Sequence, residues 1–334
     1  MKKFFKITGI VLLVLIVLIG AGLIYFNLSY PKTDPAPNIK INATPEKLER
    51  GKYLAMHVAM CMDCHSTRDW KKYSGPIMPG TEGKGGEKLD EAIGFPGTIY
   101  VKNITPAALH DWTDGEIIRA ITRGVNKYNT ALFPTMPYYN FNKMTQEDVE
   151  AIVAYVRSLK PIKNDVPDKD LNFPLNFIVK TLPIQTYKPP KPVDKTNSPA
   201  YGKYLVTIAS CEECHTPSKE GEPVPGMNFA GGMEIKLPHG TIRSANISPD
   251  NETGIGNWTK EMFIARFKSF ESDSAKNIPA DIYKEFNTIM PWTLYAGMTN
   301  EDLAAIYDYL RTVKPVKHRV ERYTPAKNEF SEIK

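Results

Sequence analysis

The sequence predicts an all-α protein, with two tandem helical domains of one fold behind a single N-terminal transmembrane helix. Three observations carry this reading. Residues 7–26 form an uncharged apolar run, the second half of the chain repeats the motifs of the first in the same order, and each repeat closes on an apolar stripe of helical period. The 334 residues suffice for about two ordinary domains. With 42% hydrophobic and 24% charged residues the bulk is globular, neither disordered nor polytopic, while 27 prolines imply long irregular connections.

The first element is the anchor, over residues 1–30. Ile7 to Phe26 gives 20 residues without a charge, and a helix needs about 20 to cross roughly 30 Å of hydrocarbon. A signal peptide would have an apolar core of only about 7–15 residues and a small-x-small cleavage site. The run here is longer and no such site follows Phe26, so the segment is read as retained. Lys2, Lys3 and Lys6 on one side, with Tyr25 and Tyr30 on the other, orient the N-terminus towards the cytoplasm. The rest of the chain then lies on the periplasmic side of a bacterial inner membrane. Those three lysines also account for most of the net charge of +5, since the chain beyond Phe26 carries 39 bases against 37 acids. That balance leaves no basic face for nucleic acid.

The first domain is read over residues 40–160 and the second over 198–318. Arg50-Gly51-Lys52-Tyr53-Leu54 returns as Tyr201-Gly202-Lys203-Tyr204-Leu205, Asn103-Ile104-Thr105-Pro106 as Asn246-Ile247-Ser248-Pro249, Trp112-Thr113 as Trp258-Thr259, and Met136-Pro137-Tyr138 as Met290-Pro291-Trp292. Each domain opens with a helix capped by Thr44 or Ser198 and carrying proline in its first turn. Gly51 and Gly202 interrupt these helices at a cost of about 1 kcal/mol relative to alanine, which close packing of another helix would offset. Thr113 and Thr259 begin further helices. Each domain closes with a helix capped by Thr145 or Thr299, with Asp148 or Asp302 three residues on, a capping box with aspartate in place of glutamate. The stripe Val149, Ile152, Val153, Val156 and Leu159 recurs 154 positions later as Leu303, Ile306, Tyr307, Leu310 and Val313.

Residues 161–197 form the interdomain connection, rich in proline and without sustained periodicity. Its middle, from Leu171 to Val179, is too apolar for a floppy tether and is expected to lie along a domain surface, so the domains are held. Residues 319–334 are a C-terminal tail.

The four cysteines fall as Cys61-Met62-Asp63-Cys64-His65 and Cys211-Glu212-Glu213-Cys214-His215. Cys-x-x-Cys-His is the attachment signature of c-type haem, in which two thiols add across the porphyrin vinyl groups and the adjacent histidine reaches the iron. A zinc ribbon spaces its pairs by about 15–20 residues, far less than here. A thioredoxin-like pair needs a βαβ context, and structural disulfides would not require histidine after both pairs. Two covalently bound haem c groups (iron) are therefore expected, consuming every cysteine.

The sixth ligand decides whether such an iron transfers electrons or binds small molecules. Met136, 71 residues after His65, and Met290, 75 after His215, are each followed by proline, which favours an extended loop. Met144 and Met298 repeat equally well, but five residues before Val149 and Leu303 they have the spacing of a hydrophobic staple. His65 and Met136, and His215 and Met290, are the expected iron ligands. The remaining histidines, His57, His110, His239 and His318, do not repeat and are read as ordinary polar residues. Trp112 and Trp258 are read as core or haem-packing aromatics, while Tyr138, Trp292, Asn103 and Asn246 are candidates to touch haem edges or propionates.

These motifs, with the run from Asn246 to Trp258 that contains Thr-Gly-Ile-Gly and the segment Leu171-Asn172-Phe173-Pro174-Leu175-Asn176, give the chain a family likeness. From roughly Gly51 to Lys314 it resembles the multihaem cytochrome c subunit of bacterial membrane-bound alcohol and gluconate dehydrogenases. The resemblance implies two tandem class I cytochrome c domains with His/Met iron. It departs in having two haem domains where three are usual, in an N-terminal rather than C-terminal membrane attachment, and in Ala107-Ala108-Leu109-His110-Asp111 replacing Thr-Gly-Ile-Gly in the first domain.

The expected function is single-electron transfer without catalysis of its own. The donor would be a periplasmic dehydrogenase or a quinol-oxidising complex, and the acceptor a terminal oxidase or a soluble cytochrome. The rival is a dihaem enzyme of peroxidase or thiosulfate-oxidising type with one open or unusually ligated iron. No dinucleotide fingerprint, nucleophile elbow or metal-hydrolase motif is present.

Overall fold

The computed structural model of the chain describes residues 1–91, 94–219, 221–237 and 240–326. Its first element is the helix Lys2–Ser29, which buries no residue and is long and apolar enough to cross a membrane. From it the chain runs without regular structure to Thr44, whose side chain accepts from the backbone N–H of Lys47 and starts the helix Pro45–Tyr53. In the second domain the corresponding cap is Asn197, which accepts from Ala200, and not the expected Ser198. Asparagine caps as well as serine, and the Ser198 hydroxyl instead donates to Asp308 at 2.6 Å.

The opening helices Pro45–Tyr53 and Ser198–Ile208 pack against the closing helices Gln146–Ser158 and Asn300–Leu310. Glycine makes that approach possible. A Cβ on Gly51 would lie 1.8 Å from the Ala151 carbonyl oxygen, and one on Gly202 would lie 1.8 Å from that of Ala305. Each closing helix turns its repeated stripe inward, with Val149, Ile152, Val153 and Val156, and in the second domain Leu303, Ile306 and Leu310, all buried. The apolar core runs without interruption from one domain into the other, so the domains are held as expected.

The expected capping boxes at Thr145 and Thr299 are only half formed. Each threonine accepts from the aspartate's backbone N–H, but the carboxylates do not return to the cap. They cross to the other domain: Tyr204 donates to Asp148 at 2.5 Å and Tyr53 donates to Asp302 at 2.6 Å. A complete box occurs at Thr113 with Glu116, which opens the helix Asp114–Arg123.

The all-α expectation needs correction, because among the described residues three short antiparallel sheets accompany the helices. Gly97–Tyr100 pairs with Lys88–Leu89 and with Asp170–Leu171, while Gly240–Arg243 pairs with Glu234–Leu237 and with Tyr323–Pro325. A two-stranded hairpin joins Ser218–Lys219 to Glu222–Pro223. These strands of two to four residues are too short to leave a period-2 signature. In both domains the third strand returns from beyond the closing helix, through the connection in the first and through the tail in the second. Residues 327–334 of the tail lie outside the described residues.

The connection does lie along the first domain. Leu171 and Val179 are buried and Leu175 packs with them against Ile99, Leu89, Phe95 and Phe133.

Candidate functional site

The site is built where each opening helix ends. Met60 and Ser210 both take left-handed backbone, each with φ of 55°, a conformation uncommon for residues other than glycine. They turn the chain into the single helical turns Cys61–His65 and Cys211–His215. Both thiols and the imidazole of each turn line one cavity.

Each imidazole is oriented by a backbone carbonyl. His65 Nδ1 lies 2.6 Å from the Lys102 oxygen and His215 Nδ1 lies 2.7 Å from the Ala245 oxygen. A carbonyl only accepts, so Nδ1 carries the hydrogen and Nε2 keeps its lone pair, the arrangement found at metal-binding histidines. Burial lowers the pKa of both rings, against the opposing pull of the carbonyl bond, and so favours neutral imidazole. The backbone of each histidine is in turn tied by a glycine pair that sequence reasoning passed over. Gly85 donates to the His65 oxygen at 2.9 Å and Gly231 to the His215 oxygen at 2.7 Å. A Cβ on either would fall within 2.6 Å of the backbone that carries the orienting carbonyl. The available signal was Gly85-Gly86 recurring as Gly231-Gly232.

Desolvation pushes the thiols of Cys61 and Cys211 up to about 12. Neutral thiols are poor nucleophiles and poor metal ligands. None of the four cysteines is disulfide-bonded, and among the described residues no group of three or more His, Cys, Asp or Glu side chains is arranged around a metal position.

The cavity measures about 1690 Å³ and is lined by both Cys-x-x-Cys-His turns, by Met136 and Met290, and by Trp112 and Trp258. Pockets for one small molecule run from about 300 to 1,000 Å³, so this space fits two large groups side by side. Met144 is buried outside the cavity, whereas its counterpart Met298 also lines it.

Asn103 and Asn246 line the cavity as well, and their amides are also bonded to backbone. Asn103 donates to the Ile162 oxygen and accepts from Thr105, and Asn246 donates to the Val316 oxygen and accepts from Ser248. Both amides thus tie the loop after the central strand to the chain beyond the closing helix. Tyr138 is a core residue stacked over Gly124, and Trp292 lines the cavity with the Arg266 guanidinium 4.7 Å from its ring centre. His57 reaches the Leu294 oxygen in the other domain at 2.7 Å, His318 reaches the Ala230 oxygen at 3.0 Å, and His110 lies near the Ala107 oxygen at 3.3 Å. None of these three lines the cavity, and His239 lies outside the described residues.

Each domain also braces the other's site. Ser74, fully buried in the first domain, donates to the Met290 carbonyl at 2.6 Å and accepts from Trp292 N–H at 2.8 Å. Asn287 holds the Ser74 backbone N–H at 2.9 Å. In return Asn140 donates to the Ser210 hydroxyl and to Glu213, each at 2.9 Å. No repeated motif marks Ser74, so nothing in the sequence signalled it.

The chain matches the family model described as Cytochrome c over residues 48–160 and again over 199–314. It is 28% identical over 294 residues to the alcohol dehydrogenase (quinone) cytochrome c subunit of Gluconacetobacter polyoxogenes, covering 83% of this chain and 58% of that one. It is 28% identical to the fructose dehydrogenase cytochrome subunit of Gluconobacter japonicus, covering 86% of this chain and 56% of that one. A diheme cytochrome c-type protein of Cereibacter sphaeroides is 27% identical, over 77% of this chain and 83% of its own. The chain therefore spans little more than half the length of the dehydrogenase subunits that it matches.

Proposed function

This chain belongs to the cytochrome c family and carries two haem c groups, and from that premise we propose that it is a membrane-anchored relay of single electrons. Haem supplies a one-electron couple whose potential a methionine ligand raises. In this reading Cys61 and Cys64 hold one group by thioether bonds with His65 and Met136 on the iron, and Cys211 and Cys214 hold the other with His215 and Met290. The carrying observation is the paired geometry: two imidazoles, each with Nδ1 spent on a carbonyl, face one continuous cavity whose wall includes both methionines. The shared cavity favours transfer between the groups within one chain. A methionine on each side also speaks for closed irons and against the peroxidase-like or thiosulfate-oxidising alternative.

The helix Lys2–Ser29 is read as a retained single span with its N-terminus in the cytoplasm, which puts both domains on the periplasmic side. The relatives named as cytochrome subunits of alcohol and fructose dehydrogenases support a periplasmic dehydrogenase as donor, with a quinol-oxidising complex as the other possibility. The acceptor would be a terminal oxidase or a soluble cytochrome.

Purification of the tagged chain from detergent-solubilised membranes tests this reading. A dehydrogenase should accompany it and its substrate should reduce both haems. A chain that purifies alone, shows high-spin haem and turns over peroxide would overturn the relay.

A further inference from the structure

The apolar part of the connection has two faces. Leu171, Leu175 and Val179 turn towards the first domain, whereas Phe173 is 80% and Ile178 45% exposed. No phenylalanine among the described residues is more exposed than Phe173. Burial in the fold explains the first face and leaves the second without an occupant.

The position of that second face identifies the occupant. Phe177 lies 6.1 Å from Phe26 between ring centres, Phe26 lies 5.0 Å from Tyr30, and Phe173 lies 6.1 Å from Phe177. Lys180 donates to Asn27 at 2.6 Å. These rings therefore continue the outer end of the N-terminal helix. From Ile7 to Phe26 a helix rises about 30 Å, the thickness of the hydrocarbon layer, so Phe26 reaches its outer boundary when Lys6 stays at the inner one. Side chains packed on Phe26 share that depth, where aromatic residues concentrate and lysines meet lipid phosphates.

We propose that residues 173–180 form a membrane foot: Phe173, Phe177 and Ile178 enter the outer-leaflet interface beside the anchor, with Lys180 at the headgroups. The foot is fastened to the haem domain, since Tyr139, three residues after Met136, donates to the Leu182 oxygen at 2.6 Å. Thr33 and Asp34 also bond to the carbonyls of Ile184 and Gln185. It therefore seats the first domain on the bilayer in one orientation instead of leaving it on a swinging tether. This inference rests on the retained anchor of the preceding section.

The test uses the full holoprotein in vesicles of phosphatidylethanolamine and phosphatidylglycerol. Single replacements by p-benzoylphenylalanine are made at Phe173, Ile178, Ile16 and Tyr283, followed by irradiation and intact-mass measurement, with haem content as the folding check. Ile16 reports the anchor, and Tyr283, 63% exposed in the second domain, reports background. The expected result is lipid adducts at Ile16, Phe173 and Ile178, each several-fold above Tyr283. Adducts at Ile16 alone would overturn the foot and leave the anchor standing. Absence of adducts at Ile16 would overturn the anchor and the foot with it. Cross-links from Phe173 to a second copy would overturn the foot in favour of a protein interface.

Discussion

Tyr53 of the first domain donates its phenolic hydrogen to Asp302 of the second at 2.6 Å, and the equivalent Tyr204 returns the same bond to Asp148 at 2.5 Å. Reciprocal exchange of equivalent contacts is the mark of a two-fold interface, here formed within one chain. It is not fully symmetric, because Asp148 also receives two bonds from Arg50 whereas the position equivalent to Arg50 is Tyr201.

Tyr53→Phe should therefore destabilise the protein more than Tyr204→Phe. Both aspartates are buried, and leaving such an acceptor without its donor costs about 1–3 kcal/mol. Asp148 keeps its guanidinium partner when Tyr204 is changed. Thermal unfolding of the two single variants, followed by circular dichroism, checks the order. Equal losses would mean that Arg50 does not compensate.

Gly51→Ala and Gly202→Ala should each loosen one domain. The added methyl group would meet a carbonyl oxygen at 1.8 Å, and relieving that contact means parting two helices. Overpacking typically costs about 1–3 kcal/mol and occasionally more. Denaturant midpoints should fall for both variants, and an unchanged midpoint for either would contradict the packing.

The methionines separate by readout. Met136→Ala or Met290→Ala should remove part of the charge-transfer absorption of ferric iron–sulfur ligation and lower one of the two reduction potentials. Met144→Ala should leave spectrum and potentials in place while destabilising the protein by about 2–5 kcal/mol, as for a truncated core residue. Loss of the band in Met144→Ala with its retention in Met136→Ala would reverse the assignment.

The domain contact should weaken in acid through His57. Its ring packs over Gly297, where a Cβ would come within 2.2 Å, and bonds to the Leu294 oxygen. Burial lowers its pKa, and Lys268, Lys52 and Lys276 add to the effect while the carbonyl bond opposes it. A group depressed in the folded state stabilises above its unfolded value, about 6.5 for histidine. That contribution is lost as pH falls through the folded value, because the unfolded chain takes up the proton first. Melting temperature should therefore drop below about pH 6.5, and less steeply in His57→Gln. Identical pH profiles for the two proteins would remove His57 from the account.

Much of this molecule was legible in one dimension because its chemistry is local. Haem attachment needs two thiols and an imidazole on one helical turn, so Cys61 to His65 and Cys211 to His215 announce it by spacing alone. The duplication exposed the paired helices, their threonine caps and the glycines at the crossings, since each obeys a rule of three to four residues. The strands escaped because Asp170–Leu171 and Tyr323–Pro325 gain their partners only when distant chain returns to Gly97–Tyr100 and Gly240–Arg243. Asp148 and Asp302 were read as caps because capping is the nearest use for a carboxylate at that spacing, but the fold sets a tyrosine of the other domain within reach. The same holds for Ser74 beneath Met290 and Phe177 against Phe26. Those pairings join residues from 56 to 249 positions apart, and only the packing of one domain on the other, or of the connection on the anchor, brings them into contact.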